Sequence, residues 1–400
     1  MKFNWNSKLK WAAISLCVAL AMTAVFYLYL NLRYTYGVGD EDYLRIARYN
    51  DVYVHHDEID EEVAVNVAYD KVHVPYVQKT AYDGFEIADT IGVIDIVDRA
   101  KLASFMKMLK EADTYRYIVC DIRLTTEYKT DADEELVELI SSMRDIVIAD
   151  TDSLPQQLKP KAASVRYGKR RVGDDFMKYT CLDEGQETMA FRMWKDLTGG
   201  TYESKTLGIK MNGKNCLNYF VPYFRYSIYD NYKDKGEDDL GNEVTVYHLG
   251  YDVLAGEPSE SVKLFEDKIV LIGAWSKEDS HDTIIGPQPG ISVIYNAYHA
   301  LLNGDNYICW GIYALLFLLF WIMCMILFRN CYTEKQLLSK INKNWVRVSV
   351  RILVAIFSYN SILFIVAGFF FFAFNMYVNV FVVGFLFSGL DTILGEVRSN

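Results

Sequence analysis

The 400-residue sequence lacks the short motifs that mark the common catalytic sites. It has no Gly-x-Ser-x-Gly nucleophile elbow, no phosphate-binding P-loop, no Gly-x-Gly-x-x-Gly fingerprint after the first predicted strand, no Cys-x-x-Cys pair and no His-Glu-x-x-His zinc motif. These motifs supply nucleophiles, phosphate cradles, redox pairs and metal sites, so their absence counts against the corresponding enzyme classes. We therefore expect a protein that is not an enzyme and that uses no cofactor or catalytic metal.

Basic surface is also scarce. The chain has 41 Lys and Arg against 52 Asp and Glu, which gives a formal net charge of -11 at pH 7. The triplet Lys169-Arg170-Arg171 is more typical of a solvated turn than of a binding patch. Because an acidic surface repels phosphate backbones, we expect no nucleic-acid partner.

The cysteines do not form the pattern of a disulfide framework. Three of the seven cysteines, Cys120, Cys181 and Cys216, lie in the central part of the chain. An odd number there argues against a full set of bridges, and the apolar surroundings of Cys120 predict a core position. A bridge between Cys181 and Cys216 stays open, since an oxidising compartment would permit it.

Long apolar runs, in contrast, are abundant. The first follows three lysines and is typical of an uncleaved signal anchor, and the basic loop after the second is placed in the cytoplasm by the positive-inside rule. We therefore expect four transmembrane helices in a bacterial inner membrane, with the large domain on the extracytoplasmic side. The expected segments are a cytoplasmic start at 1–10, helices at 11–32, 308–328, 352–374 and 376–395, an outside domain at 33–307, a cytoplasmic loop at 329–351 and a tail at 396–400.

The outside segment alternates short apolar runs with amphipathic stretches. Residues 91–98, 117–124 and 145–150 are predicted as buried strands, and residues 100–109 and 133–143 as helices between them. Near-continuous β-branched runs separated by helices are typical of parallel strands that are covered on both faces. The predicted fold is an α/β domain with a mainly parallel, mixed sheet, with antiparallel strands at 165–172 and 217–229.

The end of this domain carries a recognisable series of residues. A strand at 268–273 reads KIVLIG, and it is followed by Asp282, Pro289-Gly290, Asn296 and the helix stop LLNG at 301–304. Together with VIDIVD at 93–98 and VCDIRL at 119–124, this series resembles the CHASE domains of type two, the extracellular sensing domains found before bacterial histidine kinases and cyclases.

The resemblance implies an extracytoplasmic sensor with one span before the domain and three after it. The sequence departs from the family pattern in two respects. The aromatic-proline motif that the family often carries after its first strand is missing, and no output domain follows the last predicted span.

Charged and polar residues cluster where the predicted strands end. Ligands of open parallel sheets lie beyond the carboxyl ends of the strands, where carboxylates would hold a cation or a cationic ligand and an arginine would pair with an anionic group. Aspartates at strand ends also cap the following helix, so each has two interpretations. The candidate ligand-binding residues are Asp95, Asp98, Asp121, Arg123, Asp279, Asp282 and Asn296, and Asp150 and Gly273 occupy further strand ends.

These features predict a membrane-anchored sensor that passes a signal through its transmembrane helices to a separate partner. The expected partners are a small ligand or an envelope protein outside the cell, the lipid bilayer, a membrane signalling protein and, by the resemblance, a second copy in a homodimer. The alternative is a non-catalytic structural subunit of an envelope complex.

Overall fold

A computed structural model gives the architecture. It describes residues 5–30, 62–66, 69–76, 90–122, 124, 130–151, 154–165, 178–206, 208–220, 222, 224, 236–237, 243–244, 246–249, 253–254, 262–275, 280–283, 286–308, 310–338, 365 and 369.

The described helices and strands follow one another in a mixed order. The first half contains α1 (Trp5–Leu30), β1 (Glu62–Asn66), β2 (Tyr69–Tyr76), β3 (Thr90–Val97), α2 (Arg99–Ala112), β4 (Tyr117–Asp121), α3 (Asp133–Ser142), β5 (Ile146–Ala149), a 3-10 helix (Gln156–Lys161), β6 (Ala162–Ala163), β7 (Tyr179–Thr180), β8 (Leu182–Asp183) and β9 (Gln186–Glu187). The second half contains α4 (Met189–Thr198), β10 (Tyr202–Ser204), β11 (Ile209–Met211), β12 (Lys214–Cys216), β13 (Tyr219–Phe220), β14 (Gly236–Glu237), β15 (Glu243–Val244), β16 (Val246–His248), β17 (Ile269–Gly273), β18 (Ser280–Thr283), β19 (Gly286–Pro289), α5 (Gly290–Asn303) and α6 (Trp310–Leu338).

A six-stranded sheet forms the centre, in the order β16-β1-β17-β4-β5-β6. Every neighbouring pair in it is parallel. The strands β4, β5 and β17 are buried almost throughout, as their continuous apolar sequences require for a sheet covered on both faces. The expectation of an α/β domain with a mainly parallel sheet is confirmed.

Two apolar cores lie on opposite faces of this sheet. Because side chains alternate along a strand, Val119 and Leu271 join α4 and α5 in one core, whereas Ile118 and Val270 join α2 and α3 in the other. The helices predicted at 100–109 and 133–143 are therefore confirmed as α2 and α3, with small shifts of their ends.

Residues 91–98 form a strand as predicted, but not in the parallel sheet to which the prediction assigned them. This segment is β3, which pairs antiparallel with β2 in a separate two-stranded ribbon. The parallel sheet instead receives β1, a five-residue strand whose Val63, Ala64 and Val65 are buried between β16 and β17. Short length and acidic neighbours hid β1 in the sequence. Within 217–229, β13 forms an antiparallel strand as predicted, but it pairs with β7, which lies outside the predicted segment 165–172. Residues 166–172 lie outside the described ranges.

Of the helices that the structure describes, the two longest, α1 and α6, pack side by side. Met22 and Phe26 of α1 meet Leu316 and Phe320 of α6 in a third apolar cluster. At one end of the pair, the Tyr27 ring stacks on Trp310 with centroids 6.2 Å apart. Further along, Trp321 Nε1 donates to Ser15 Oγ at 3.1 Å. We refer to α1 and α6 together as the helix pair.

The expectation of four transmembrane helices was wrong. In the part of the chain that the structure describes, no helix is both long enough and apolar enough to cross a bilayer, which takes about 20 consecutive apolar residues. The expected helices at 352–374 and 376–395 lie outside the described ranges except for Ile365 and Phe369, as do the segments 1–4, 339–351 and 396–400.

Candidate functional site

The carboxyl ends of β5 and β6 open into a cavity of about 370 Å³. We call it the strand-end pocket. Its lining combines carboxylates, one ammonium group, hydroxyls and one amide, and consists of Asp150, Thr151, Lys159, Ser164, Val165, Asp183, Glu184 and Gln186.

Four short pieces of backbone build the pocket. Asp150 follows β5, and its N–H donates to Ala163 O at 2.8 Å, so the ladder between β5 and β6 continues to the rim. The 3-10 helix between these strands carries Lys159. The fourth piece is the hairpin formed by β8 and β9, residues 182–187, which we call the pocket hairpin.

The pocket hairpin is held by its turn and by β6. Glu184 and Gly185 occupy the two central turn positions with φ of 51° and 89°, the left-handed conformation that suits a tight two-residue hairpin. Ser164 N–H donates to Glu187 O at 2.9 Å and ties the hairpin to the end of β6. The local sequence therefore folds so that Asp183, Glu184 and Gln186 face the same cavity.

Asp150 is the electrostatic centre of the lining. Lys159 Nζ lies 2.6 Å from its Oδ1, and Gln186 Nε2 donates to its Oδ2. Burial raises the pKa of Asp150, but the hydrogen bonds from Lys159 and Gln186 and the charge of Lys159 outweigh burial and lower the pKa below its usual 3.8. Asp150 is therefore held as a carboxylate between two donors.

A second polar group lies deeper. The Asp183 side chain is only 4% exposed, and Ser164 Oγ donates to its Oδ2 at 3.4 Å. Thr151 Oγ1 is buried and has no hydrogen-bond partner among the described residues. Three carboxylates and one ammonium group give the lining a formal excess of acceptors for a ligand that carries hydroxyl or amine donors.

The described residues contain no cluster of three or more His, Cys, Asp or Glu side chains placed to hold a metal ion. Asp279 lies outside the described ranges, and His281 and Asp282 lie in the small β18–β19 ribbon opposite Gln288 and Pro287.

Asp98 is a capping residue. Its Oδ1 accepts from the Lys101 N–H at 3.0 Å at the start of α2, and its Oδ2 lies 2.8 Å from Lys101 Nζ. Burial raises the pKa of Asp98, and the contacts with Lys101 more than offset this and lower the pKa. The capping interpretation is therefore confirmed for this residue.

The other predicted site residues that the structure describes lie in different elements. Asp95 lies in the β2–β3 ribbon opposite Lys71, and Asn296 lies fully buried in α5, where its Nδ2 donates to Ser292 O at 2.9 Å. Asp121 ends β4 opposite Gly273 of β17. Arg123 lies outside the described residues.

The end of β17 is covered by a helix. A Cβ placed on Gly273 would lie 3.1 Å from Ile291 Cβ of α5, so the helix packs directly onto the strand end. The cavity opens at β5 and β6 instead. Of the strand-end residues singled out in the sequence, Asp150 is the one that lines it.

Sequence reasoning missed the remaining polar residues of the pocket. Lys159, Ser164, Asp183, Glu184 and Gln186 come from segments that carry no binding motif. One local signal was present, since a glycine such as Gly185 between two short segments marks a turn. It indicates a hairpin but not the cavity beneath it.

Comparison with known proteins gives a match to a family model. The model of the CHASE2 domain family matches residues 95–328, which is 234 of the 400 residues and more than half of the chain. No curated protein and no solved structure matches the chain. The matched range covers the parallel strands β4, β5, β6, β16 and β17, the strand-end pocket and part of α6. The resemblance found in the sequence is confirmed: the chain belongs to the family of proteins with a CHASE2 domain, an extracellular sensory domain.

Proposed function

We propose that this chain is a sensor whose CHASE2 domain binds a small polar ligand in the strand-end pocket and passes the binding event to a separate protein. The observation that carries the proposal is the position of the cavity. Open parallel sheets bind their ligands beyond the carboxyl ends of the strands, and this cavity lies at that edge beside β5 and β6.

The size and chemistry of the cavity fit such a role. A volume of about 370 Å³ lies within the range of small-molecule sites, which starts at about 300 Å³. The carboxylates of Asp150, Asp183 and Glu184 favour a ligand with amine or hydroxyl donors, and Lys159 and Gln186 can donate to a ligand oxygen. The proposed action is binding without chemical turnover.

The output of the sensor is proposed to run through α5 and the helix pair. The pocket hairpin leads directly into α4, which packs against α5, and α5 is followed after a short connection by α6. A ligand shifts such a chain of elements only if it binds one of two arrangements more tightly. The receiving protein would contact the helix pair.

A binding screen on the full-length protein tests the proposal. Thermal melting is followed with a panel of amines, amino sugars, polyols and, as contrast, dicarboxylates, in wild type, in Asp150→Asn and in the control Asp145→Asn. Asp145 is exposed, pairs with Arg144 and has φ of 43°, which asparagine tolerates.

A ligand at 100 times its dissociation constant stabilises the folded state by about 2.7 kcal/mol, which raises the melting temperature by several degrees. We expect this shift in wild type and Asp145→Asn and its loss in Asp150→Asn. A wild type that responds to no compound and copurifies with a fixed partner would support the structural-subunit alternative. Equal shifts in all three proteins would place the ligand elsewhere.

A further inference from the structure

We propose that Asn218 and Asn306 act as a clasp that couples the pocket hairpin to the start of α6. The inference rests on the proposed function and deepens it, because it names the contacts through which the state of the pocket would reach the helix pair. We call residues 304–308, which follow α5 and precede α6, the connector.

Asn218 holds the pocket hairpin by its side chain. Its Oδ1 accepts from the Leu182 N–H at 2.9 Å, and its Nδ2 donates to Leu182 O at 3.0 Å and to Thr180 Oγ1 at 3.2 Å. The backbone carbonyl of Asn218 also accepts from the Cys181 N–H at 2.9 Å. Leu182 directly precedes Asp183 of the pocket lining, so a shift of the hairpin must move or break these bonds.

The neighbouring residue holds the connector. Leu217 N–H donates to Asn306 O at 2.8 Å, and Asn306 Nδ2 donates to Leu217 O at 3.3 Å. Two residues further, Ile308 N–H donates to Asn215 O at 2.9 Å, and Cys216 and Tyr307 form an antiparallel bridge. The connector thus continues the β10–β11–β12 sheet as an added short strand.

Asn306 is an unusual choice for this position. Its side chain is fully buried among apolar groups, with Nδ2 at 3.2 Å from Met211 Sδ and 3.7 Å from Cys181 Sγ. Its Oδ1 has no hydrogen-bond partner in the described part of the chain. A buried carbonyl without a partner costs free energy, so an arrangement that gave Asn306 Oδ1 a donor would be favoured by that amount over the one seen here.

The connector has little room to absorb a displacement. Leu217 packs against the core that contains α4 and α5 and also against the cluster of the helix pair, which Ile308 contacts too. The Tyr307 ring lies under Gly304, where a Cβ would be 2.6 Å from it, and Lys214 Nζ lies 4.7 Å from the ring centroid. One residue separates Ile308 from Trp310, the first residue of α6.

A tethered probe tests the clasp without a known ligand. Glu184 is exposed at the tip of the pocket hairpin, so Glu184→Cys in the full-length protein is alkylated with a bulky maleimide that occupies the rim. The readout is amide hydrogen exchange of peptides that cover 304–310. The control is Glu134→Cys, exposed on α3 at the other face of the sheet and labelled in the same way.

We expect labelling at position 184 to change exchange in 304–310 by at least about fivefold, and labelling at position 134 to leave it unchanged. In the double variant Glu184→Cys, Asn218→Ala, the label should still change exchange in 182–187 but no longer in 304–310. Asn306→Leu, which keeps the backbone bonds and removes the amide, should also abolish the response. If Asn218→Ala fails to fold, Asn306→Leu provides the test. Slow amide exchange in β4 and β17 is the criterion that a variant has folded.

The proposal is overturned if the label changes exchange in 182–187 but not in 304–310, or if the response in 304–310 persists in both clasp variants. Because the label is covalent, this result does not depend on the binding screen. A screen without hits would refute ligand sensing at the pocket, but the clasp test could still be interpreted. Likewise, a failed clasp test would leave the result of the binding screen unaffected.

Discussion

The pair formed by Lys159 and Asp150 provides the sharpest test of the pocket's electrostatics. Lys159→Met keeps most of the side-chain volume and removes the ammonium group that lies 2.6 Å from Asp150 Oδ1. The side chain of Lys159 is 35% exposed and that of Asp150 is 18% exposed. The pair therefore lies between a surface ion pair, which stabilises by ~0–1 kcal/mol, and a fully buried one. A charged hydrogen bond contributes about 1.5–3 kcal/mol, and solvent screening reduces this to about 1–2 kcal/mol here.

The effect of this pair on stability depends on pH, and the lowered pKa of Asp150 fixes the direction of that dependence. The pKa of Asp150 is lowered in the folded protein, so its interactions stabilise the fold above the ordinary carboxyl pKa of 3.8, and this contribution is lost as the pH falls through the lowered value. The cost of Lys159→Met should therefore be largest near neutral pH and shrink below pH 3.8. In the variant, burial acts without the lysine, so the pKa of Asp150 should rise above its wild-type value.

Denaturant unfolding at several pH values measures the cost, and carboxyl NMR titration measures the pKa of Asp150. Lys110→Met is the control, since Lys110 donates to Ser142 Oγ on the surface. A cost for Lys159→Met within the ~0.5 kcal/mol of ordinary surface substitutions, or one that does not change between neutral and acidic pH, would refute the reasoning.

Three further predictions concern stability and reactivity. Gly304→Ala should cost more than ~1 kcal/mol in denaturant unfolding, because Gly304 has φ of 74° and a Cβ would clash with the Tyr307 ring; Gly185→Ala, with φ of 89° but open space, should cost less. Asp98→Ala should cost about 1 kcal/mol by removing the cap of α2, and equal stability of the variant would contradict that role. The thiols of Cys120, Cys181 and Cys216 are free and buried, and burial raises their pKa. Alkylation mapped by mass spectrometry should therefore modify these thiols only after unfolding, and it should find no disulfide between Cys181 and Cys216.

Much of the central sheet could be predicted from the sequence, because its strands carry strong local signals. The runs at β4, β5 and β17 are continuous and β-branched, and such runs indicate strands that are buried on both faces. The same signal led to a wrong assignment of β3 to the parallel sheet, because an apolar run is equally compatible with an antiparallel ribbon. Which strand pairs with which is decided by tertiary packing, and β1 shows that a five-residue strand can hold a central place.

The candidate site was predictable only at Asp150, which follows a clear strand. Its partners Lys159 and Gln186 are 9 and 36 residues away along the chain, and the contact exists because a 3-10 helix and a hairpin converge on the end of β5. The periodicity of apolar residues along the sequence does not predict that these segments meet. Asp98 shows the opposite case, since a strand-end aspartate followed by a helix has a local explanation that the structure confirms.

The most direct test of sensing at the strand-end pocket is a hydrogen-exchange footprint on the full-length protein with the compound that gives the largest melting shift. The account predicts slower exchange in the peptides around 150–165 and 182–187, together with a change in 304–308, and no effect in the β2–β3 ribbon. A compound that binds and protects other segments while leaving 150–165 and 182–187 unchanged would contradict it.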